Sequence, residues 1–423
     1  MATKKKGTTR PPTSGSTSTS VPSIRIRMYR IGFGDCFLVT LDGQHHILVD
    51  CGVHNKGGIV VNGKSLIDLA FQNIVTTAGG KLDVVIATHA HQDHVSGYGK
   101  FADQFAKFNH IGEVWMPWTD DLSNATARSW HQKKKALVGL VQTYLTARAD
   151  KEAQAAIENA GPNPAAMQAL RQGFGKAKVR YLKAGDQLDA PAGVTGFSAK
   201  IMGPPEDQDF ISKMNPPGSD HYLRMAAAQQ TGKGTHPFVG WELSPQQMDP
   251  KWPQLKQNVV KMMNESLKFS ARAVAFSLDK LLNNTSIVAL LSWRGKHLLF
   301  PGDAEYGDWA YWYKKSGSQV LSDICFYKVA HHGSWNATPK GALAEMPLGA
   351  FGAMMSTQSS PWPSIPRPAL EKAIDERTGG ALLRSDSIPV AGAPAGPKLN
   401  QLPPAFVKGN LSKNEFWVDY NIP

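Results

Sequence analysis

The stretch Thr88-His89-Ala90-His91-Gln92-Asp93-His94 gathers three histidines and an aspartate, although histidine occupies only 13 of the 423 positions of the chain. It follows an apolar run typical of a buried strand, Leu82 to Ala87, and precedes a helix-like stretch. Residues i and i+2 of an extended segment project to the same side, so His89 and His91 can converge on one ion. Asp93 and His94 can reach a neighbouring position. Imidazole and carboxylate bind zinc, iron or manganese, so the stretch predicts a metal centre.

Three other stretches place an aspartate or histidines at the end of a strand-like run. They are Ile47-Leu48-Val49-Asp50-Cys51-Gly52, Leu298-Leu299-Phe300-Pro301-Gly302-Asp303 and Lys328-Val329-Ala330-His331-His332-Gly333-Ser334. With the histidine stretch, they resemble, in order, motifs of the metallo-β-lactamase superfamily. The resemblance implies an αββα sandwich, two mixed sheets face to face with helices outside and the metal at one edge. It also implies a hydrolase that uses a hydroxide activated by the metal.

The same resemblance assigns roles to individual residues. Asp50 would orient the metal-binding loop by hydrogen bonding, Asp303 would bridge two metals, and His332 would bind the second metal. We therefore expect one or two divalent ions, zinc first and manganese as the alternative, held by the following ligands: His89, His91, Asp93, His94, Asp303 and His332.

The third motif of many relatives contains a histidine, but the corresponding region here reads Met202-Gly203-Pro204-Pro205. The first metal position would then lack a protein ligand or take one from the insertion. The histidines available for this are His131, His221 and His236. The sequence does not decide whether the centre binds one ion or two.

A finer resemblance is to the hydrolase domain of competence-type DNA-uptake channel proteins and to teichoic-acid phosphorylcholine esterases. It rests on Ile31-Gly32-Phe33-Gly34-Asp35-Cys36, on Asn283-Asn284-Thr285-Ser286 and on the His-His-Gly-Ser at 331 to 334. Asp35 and the Asn283-Asn284 pair are candidates for supporting the ligating histidines. Ordinary turn chemistry is the alternative for both.

Asp93 and His331 are the predicted catalytic residues. Asp93 would orient the attacking water, and His331 would contact the substrate or assist the leaving group, although the roles of His331 and His332 could be exchanged. Ser334 is a candidate for contacting the substrate, and no GxSxG elbow makes it a nucleophile. Arg367, just before a helix that opens at Pro368, could bind a substrate phosphate or be an ordinary surface arginine.

Composition divides the chain into a tail and a larger globular part. Residues 1 to 22 are rich in Ser, Thr, Pro, Gly and Lys and predict a disordered basic tail, either dispensable or an arm for a polyanion. Residues 23 to 423 predict one hydrolase domain, with a largely helical insertion or lid at about 120 to 280.

The charge pattern bears on the substrate. The formal net charge is +12, and Arg128, Lys133, Lys134 and Lys135 lie beside Trp130 on a helical stretch. These features favour a phosphodiesterase or nuclease that acts on DNA, RNA or nucleotides. The alternatives are a hydrolase of small-molecule ester, lactone or phosphocholine-type groups and a catalytically silent binding module on the same fold.

Neither hydropathy nor cysteine content suggests secretion or membrane insertion. No apolar run reaches the roughly 18 residues that a membrane-spanning helix needs. Three cysteines are too few for a disulfide framework. The sequence therefore predicts a cytoplasmic protein without a membrane span, and no feature predicts its oligomeric state.

Overall fold

The computed structural model describes residues 23–146, 150–213, 271–398 and 401–423. The predicted tail, His221 and His236 lie outside these residues. The strands are β1 (Ile24–Tyr29), β2 (Cys36–Leu41), β3 (His45–Cys51), β4 (Val60–Val61), β5 (Lys64–Ser65), β6 (Lys81–Ile86), β7 (His110–Pro117), β8 (Lys178–Leu182), β9 (Gln187–Asp189), β10 (Phe197–Gly203), β11 (Val288–Trp293), β12 (Lys296–Phe300), β13 (Ile324–Lys328), β14 (Gly352–Met355), β15 (Leu382–Arg384), β16 (Phe406–Lys408) and β17 (Trp417–Ile422).

The α-helices surround these strands. They are α1 (Leu66–Ala78), α2 (Gln92–Lys100), α3 (Ala102–Ala106), α4 (Ala125–Thr146), α5 (Lys151–Asn159), α6 (Pro164–Arg171), α7 (Gln208–Ile211), α8 (Ala271–Asn283), α9 (Tyr306–Ser316), α10 (Lys340–Glu345) and α11 (Pro368–Thr378). Within the described ranges, no helix combines the length and the apolar character needed to cross a bilayer.

Most strands belong to two large mixed sheets. The first has the order β16-β17-β1-β2-β3-β6-β7-β8 and the second the order β15-β14-β13-β12-β11-β10-β9. Pairing is parallel from β3 to β8 in the first sheet and from β12 to β15 in the second, and antiparallel elsewhere in both. The two sheets therefore share one layout, antiparallel on one side and parallel on the other.

The two sheets face each other across an apolar layer. Phe37 of the first sheet meets Phe300 of the second edge to face at 5.9 Å between ring centroids, and Phe326 lies 5.3 Å from Phe300. Helices α1, α2, α3 and α6 cover the outer face of the first sheet, and α9, α10 and α11 cover that of the second. Burying each large apolar side chain contributes about 1.5–3 kcal/mol. The predicted αββα sandwich is confirmed.

Part of the region that was predicted as a largely helical insertion contributes strands to the two sheets. Strand β8 extends the first sheet, and β9 and β10 extend the second, so residues 178–203 belong to the sandwich. The reason is the alternation in β10, where Phe197, Ala199 and Ile201 point into the layer between the sheets. Within the described part of this region, α4, α5 and α8 form a helical group that packs through a small apolar cluster together with Phe33 and Trp362.

The last strand returns to the first sheet, a pairing that the sequence did not reveal. β17 pairs antiparallel with β1 along its full length, from Ile24 opposite Ile422 to Tyr29 opposite Trp417. The guanidinium of Arg27 donates to the carboxylate of Asp419 at 2.7 Å and lies 3.6 Å from the ring centroid of Trp417. A bidentate ion pair at this depth fixes the register of the two strands.

The apolar layer makes a direct prediction for stability. Replacing Phe326, which is fully buried, by alanine should lower the free energy of unfolding by about 3–5 kcal/mol, because it opens a cavity between the sheets. Leu348, 73% exposed, is the matched control, and Leu348→Ala should change it by less than about 0.5 kcal/mol. Denaturant unfolding of the metal-free protein measures both, and equal losses would contradict the assignment of the core.

Candidate metal centre

The candidate metal centre lies where the loops after β6, β12 and β13 meet. Single ligand atoms of Asp93, His94, Asp303 and His332 all lie within 4.8 Å of one another, and all four residues are buried. His94 Nε2 lies 3.1 Å from Asp303 Oδ2, and His332 Nε2 lies 3.2 Å from Asp93 Oδ2. The first sheet thus supplies two of these residues and the second sheet the other two.

In His94 and His332, the ring nitrogen that faces away from the centre contacts a protein oxygen. His94 Nδ1 lies 2.8 Å from Asp50 Oδ2, and His332 Nδ1 lies 2.9 Å from the carbonyl oxygen of Ser356. These partners fix the tautomer, so each Nε2 is free to face an ion. Asp50 also accepts hydrogen bonds from the backbone and hydroxyl of Thr88, at 2.8 and 2.7 Å.

Unusual backbone conformations support this arrangement. Asp50, His331 and His332 have φ values of +53°, +44° and +52°, in the left-handed region that side chains rarely adopt. Such strain persists only where the surrounding structure enforces it, and it is concentrated at functional sites. Gly52 allows a close approach, since a Cβ atom there would lie 2.4 Å from the backbone of His94.

The chemistry of this group fits a divalent cation. Asp93 Oδ1 and His94 Nε2 are buried and have no hydrogen-bond partner among the described residues. The carboxylates of Asp35 and Asp303 contact the ammonium of Lys328, the latter at 3.2 Å. Asp50 and Asp93 add further buried negative charge. Buried carboxylates in excess are costly unless cations balance them, and these nitrogen and oxygen donors suit zinc or manganese.

The histidines fall into two electrostatic classes. Burial acts to lower the pKa of His332, but the carboxylates of Asp303 and Asp35 outweigh it and raise that pKa to about 10. Against the same effect of burial, Asp303 and Asp93 hold the pKa of His94 well above its ordinary value. Burial instead lowers the pKa of His91 to about 3. Without an ion, this environment favours the neutral form of His91 and the protonated forms of His94 and His332.

The first metal position, at His89 and His91 beside this four-residue group, has fewer candidate ligands. His89 Nε2 lies 2.9 Å from His91 Nδ1, close enough for both nitrogens to face one ion. Among the described residues, no group of three or more metal ligands includes them. His131 is not a third ligand, because its Nε2 faces Asp120 Oδ1 at 3.2 Å in a separate cavity.

A cleft of about 390 Å³ opens onto Asp93. His331 lines it, with its side chain 12% exposed and its Nδ1 3.4 Å from Glu305 Oε1. Ser334 and Arg367, the two residues predicted to contact substrate, line the same cleft. The Ser334 hydroxyl donates to Asn336 Oδ1 at 2.9 Å.

The residues predicted to support the histidines, Asp35 and the Asn283-Asn284 pair, differ in their contacts. Asp35 reaches both Lys328 and His332, whose Nδ1 lies 3.5 Å from Asp35 Oδ1. Asn284 lies further out, because its Oδ1 accepts from the backbone of Glu305 at 3.0 Å and its amide donates to Ile211 O. The neighbouring residue Asn283 is the one that approaches a site histidine, with Nδ2 3.3 Å from His331 Nε2.

Sequence reasoning missed Lys328, Asn159 and Asp279. A signal existed for Lys328, because a lysine inside the apolar run Ile324 to Val329 must find a buried carboxylate. Asn159 and Asp279 belong to helices α5 and α8, which reach the centre from outside the sandwich, and no local pattern marks them. Asn159 Oδ1 accepts from the backbone of Asp93 at 3.2 Å. Burial raises the pKa of Asp279 to about 7.

Comparison with known proteins matches part of the chain to one family model. The family model described as Metallo-beta-lactamase superfamily matches residues 29–128, which contain Asp50 and the histidine stretch. A search of the curated proteins finds no match. A similar solved structure is the metallo-beta-lactamase fold protein YhfI from Bacillus subtilis, with 10% identity and a TM-score of 0.36, covering 86% of this chain and 96% of that one.

The sandwich and the buried histidine and aspartate cluster define an αββα fold with a candidate metal site. The match at residues 29–128 covers the part of the chain that supplies Asp93 and His94 to this site, and this part is similar to the metallo-β-lactamase superfamily.

The raised pKa of His332 predicts a pH-dependent metal affinity. In the metal-free protein, its proton stabilises the fold fully below the unfolded-state pKa of roughly 6.5, and this contribution is lost as pH rises through about 10. Because a metal ion must displace that proton, the apparent Zn²⁺ affinity should rise with pH between these values. Calorimetry in buffers of different ionisation enthalpy should detect the released proton. A Zn²⁺ affinity that does not change with pH would contradict this prediction. In the His332→Gln variant, the contribution of this proton to the pH dependence should be absent.

Proposed function

We propose that this chain is a metal-dependent phosphodiesterase that acts on nucleotides or nucleic acid. The observation that carries the proposal is the composition of the cleft beside Asp93. Two cationic side chains, Lys280 and Arg367, line it together with the aromatic rings of Trp335 and Trp362. Cations suit phosphate oxygens, and aromatic faces suit stacked bases.

Contacts among the residues that line the cleft support binding of such a substrate. Lys280 Nζ lies 5.3 Å from the ring centroid of Trp335, and the ring of Trp362 packs at 4.7 Å against Phe33. Arg367 sits at the start of α11, where its backbone N–H donates to Gly333 O at 3.0 Å. This contact fixes the backbone of Arg367 beside the cleft, where its guanidinium would offer a planar fork for two oxygens of one phosphate.

The chain's own residues divide the work of hydrolysis. Hydrolysis joins the oxygen of a water to phosphorus and breaks one P–O bond, and the leaving oxygen gains a proton. Asp93 would orient the water, and His331, positioned by Glu305 and Asn283, would deliver the proton to the leaving oxygen. A bound divalent cation would lower the pKa of the water and stabilise negative charge on the phosphoryl oxygens.

The basic stretch of α4 contributes less to phosphate recognition than its sequence suggests. Arg128 donates to the carbonyl oxygens of Leu122 and Ser123, at 2.8 and 2.6 Å, and so holds the start of the helix. Lys133 and Lys134 line a different cavity. We therefore assign recognition of the phosphate to the cleft and not to this helix.

That other cavity favours a second candidate function. It has a volume of about 180 Å³, adjoins Ala90 between the two histidines of the first position, and is lined mainly by apolar side chains such as Trp130, Leu278 and Leu281. An apolar cavity so close to the centre suits the hydrocarbon part of a small ester or lactone. Hydrolysis of such a substrate is the alternative activity.

The activity test uses the full-length protein loaded with Zn²⁺ or Mn²⁺. Asp93→Ala and His332→Ala should each reduce turnover of bis(p-nitrophenyl) phosphate and single-stranded DNA to background, because each removes a ligand from the four-residue group. Asp103→Ala, an exposed aspartate on α3, is the matched control and should retain full activity.

A panel of carboxylic esters and lactones is measured in parallel. Turnover of these substrates, with none of the phosphodiesters, would favour the second candidate. Undiminished turnover in both Asp93→Ala and His332→Ala would overturn metal-dependent catalysis at this centre.

Arg367 gives a more specific prediction. Loss of a charge-assisted contact costs about 1.5–3 kcal/mol, so Arg367→Ala should lower kcat/KM for a phosphodiester roughly 10- to 150-fold. Arg367→Lys should recover part of this loss, because a lysine keeps the charge but not the planar fork. Lys372→Ala, on the exposed side of the same helix with its side chain 78% exposed, is the control. An unchanged kcat/KM in Arg367→Ala would mean that this arginine does not contact the substrate.

A further inference from the structure

Helix α8, outside the sandwich, places a carboxylate against a histidine of the first metal position. Asp279 Oδ1 lies 3.6 Å from His91 Nε2, and their side chains are 11% and 1% exposed. Neither atom has a hydrogen-bond partner among the described residues. A separation of 3.6 Å is slightly longer than a hydrogen bond, so a small movement of either side chain would satisfy both atoms.

The orientation of the His91 ring decides what Asp279 can do. His91 Nδ1 faces His89 Nε2 at 2.9 Å and is therefore the nitrogen directed at the first position. The other nitrogen, Nε2, points away from it towards Asp279. Asp279 thus stands behind the histidine and is not a ligand on the same side of the ring.

The other three histidines of the centre have the same arrangement. Each turns one nitrogen towards the centre and the other towards a protein oxygen: Thr88 Oγ1 at 3.1 Å for His89, Asp50 Oδ2 at 2.8 Å for His94 and Ser356 O at 2.9 Å for His332. Asp279 is the corresponding oxygen for His91. Partners of this kind fix the tautomer and make the imidazole a stronger ligand.

Asp279 is itself held in place by α5. The side chain of Asn159 hydrogen-bonds to Asp279, and its Oδ1 accepts from the backbone N–H of Asp93 at 3.2 Å. Asn159 is 3% exposed. One amide therefore ties the carboxylate behind His91 to the loop that carries the metal-binding motif.

We propose that Asp279 is a positioning residue for the first metal position. It accepts the Nε2–H of His91 and keeps Nδ1 unprotonated and aimed at the ion, which strengthens a position that lacks the third-motif histidine. The inference rests on the metal centre of the proposed function, but it does not depend on which substrate is hydrolysed.

The test is a Zn²⁺ titration of the full-length, metal-free protein against a chromophoric chelator. The wild type should bind two ions, and Asp279→Ala should weaken one of them about 10- to 100-fold while the other keeps its affinity. Asp279→Asn, which retains an oxygen acceptor of the same shape, should recover part of the loss. Ser277→Ala, an exposed position on the same helix, is the matched control and should titrate like the wild type.

The melting temperature of each metal-free variant shows whether it folds, and Asp279→Asn carries the test if Asp279→Ala does not. The proposal is overturned if the folded variants bind both ions as tightly as the wild type, or if the wild type binds only one. Weakened binding of one ion in a protein that hydrolyses no phosphodiester would uphold the role of Asp279 and reject the proposed substrate.

Discussion

The structure depends on the close packing of buried carboxylates and imidazoles contributed by both sheets. Asp93 and His94 follow a strand of the first sheet, whereas Asp303 and His332 follow strands of the second, and their ligand atoms lie within 4.8 Å of one another. So much buried charge is tolerable only when cations or protons balance it. The left-handed backbone at the loop ends and the oxygens behind each histidine both serve to hold this arrangement.

The sequence predicted what local spacing determines. The histidine stretch from His89 to His94 needs only a strand followed by a helix to converge, and the structure provides β6 and α2. The placement of Asp303 and His332 beside it came from resemblance, because no local rule brings residues so far apart in the chain together. The pairing of β17 with β1 and the approach of Asp279 to His91 depend on tertiary contacts alone, and for that reason they were not predicted.

The helices outside the sandwich are more closely tied to the centre than an inserted lid would be. Asn159 of α5 contacts the backbone of Asp93, and α8 supplies both Asp279 and Lys280. The same two helices thus contact the metal-binding loop and line the cleft. In the proposed enzyme, changes that alter the choice of substrate would therefore also affect how firmly the ions are held.

The distribution of strands between the sheets has a consequence for the chain as a whole. Strands β9 and β10 follow the central strands of the first sheet in the chain but extend the second sheet. Strands β16 and β17 come last in the chain but complete the first sheet. Cleavage anywhere between residues 213 and 271 would therefore leave two fragments that each carry strands of both sheets. Neither fragment could close a sandwich by itself, so co-expressed halves would have to assemble by exchanging strands, and both would be required to reconstitute the centre.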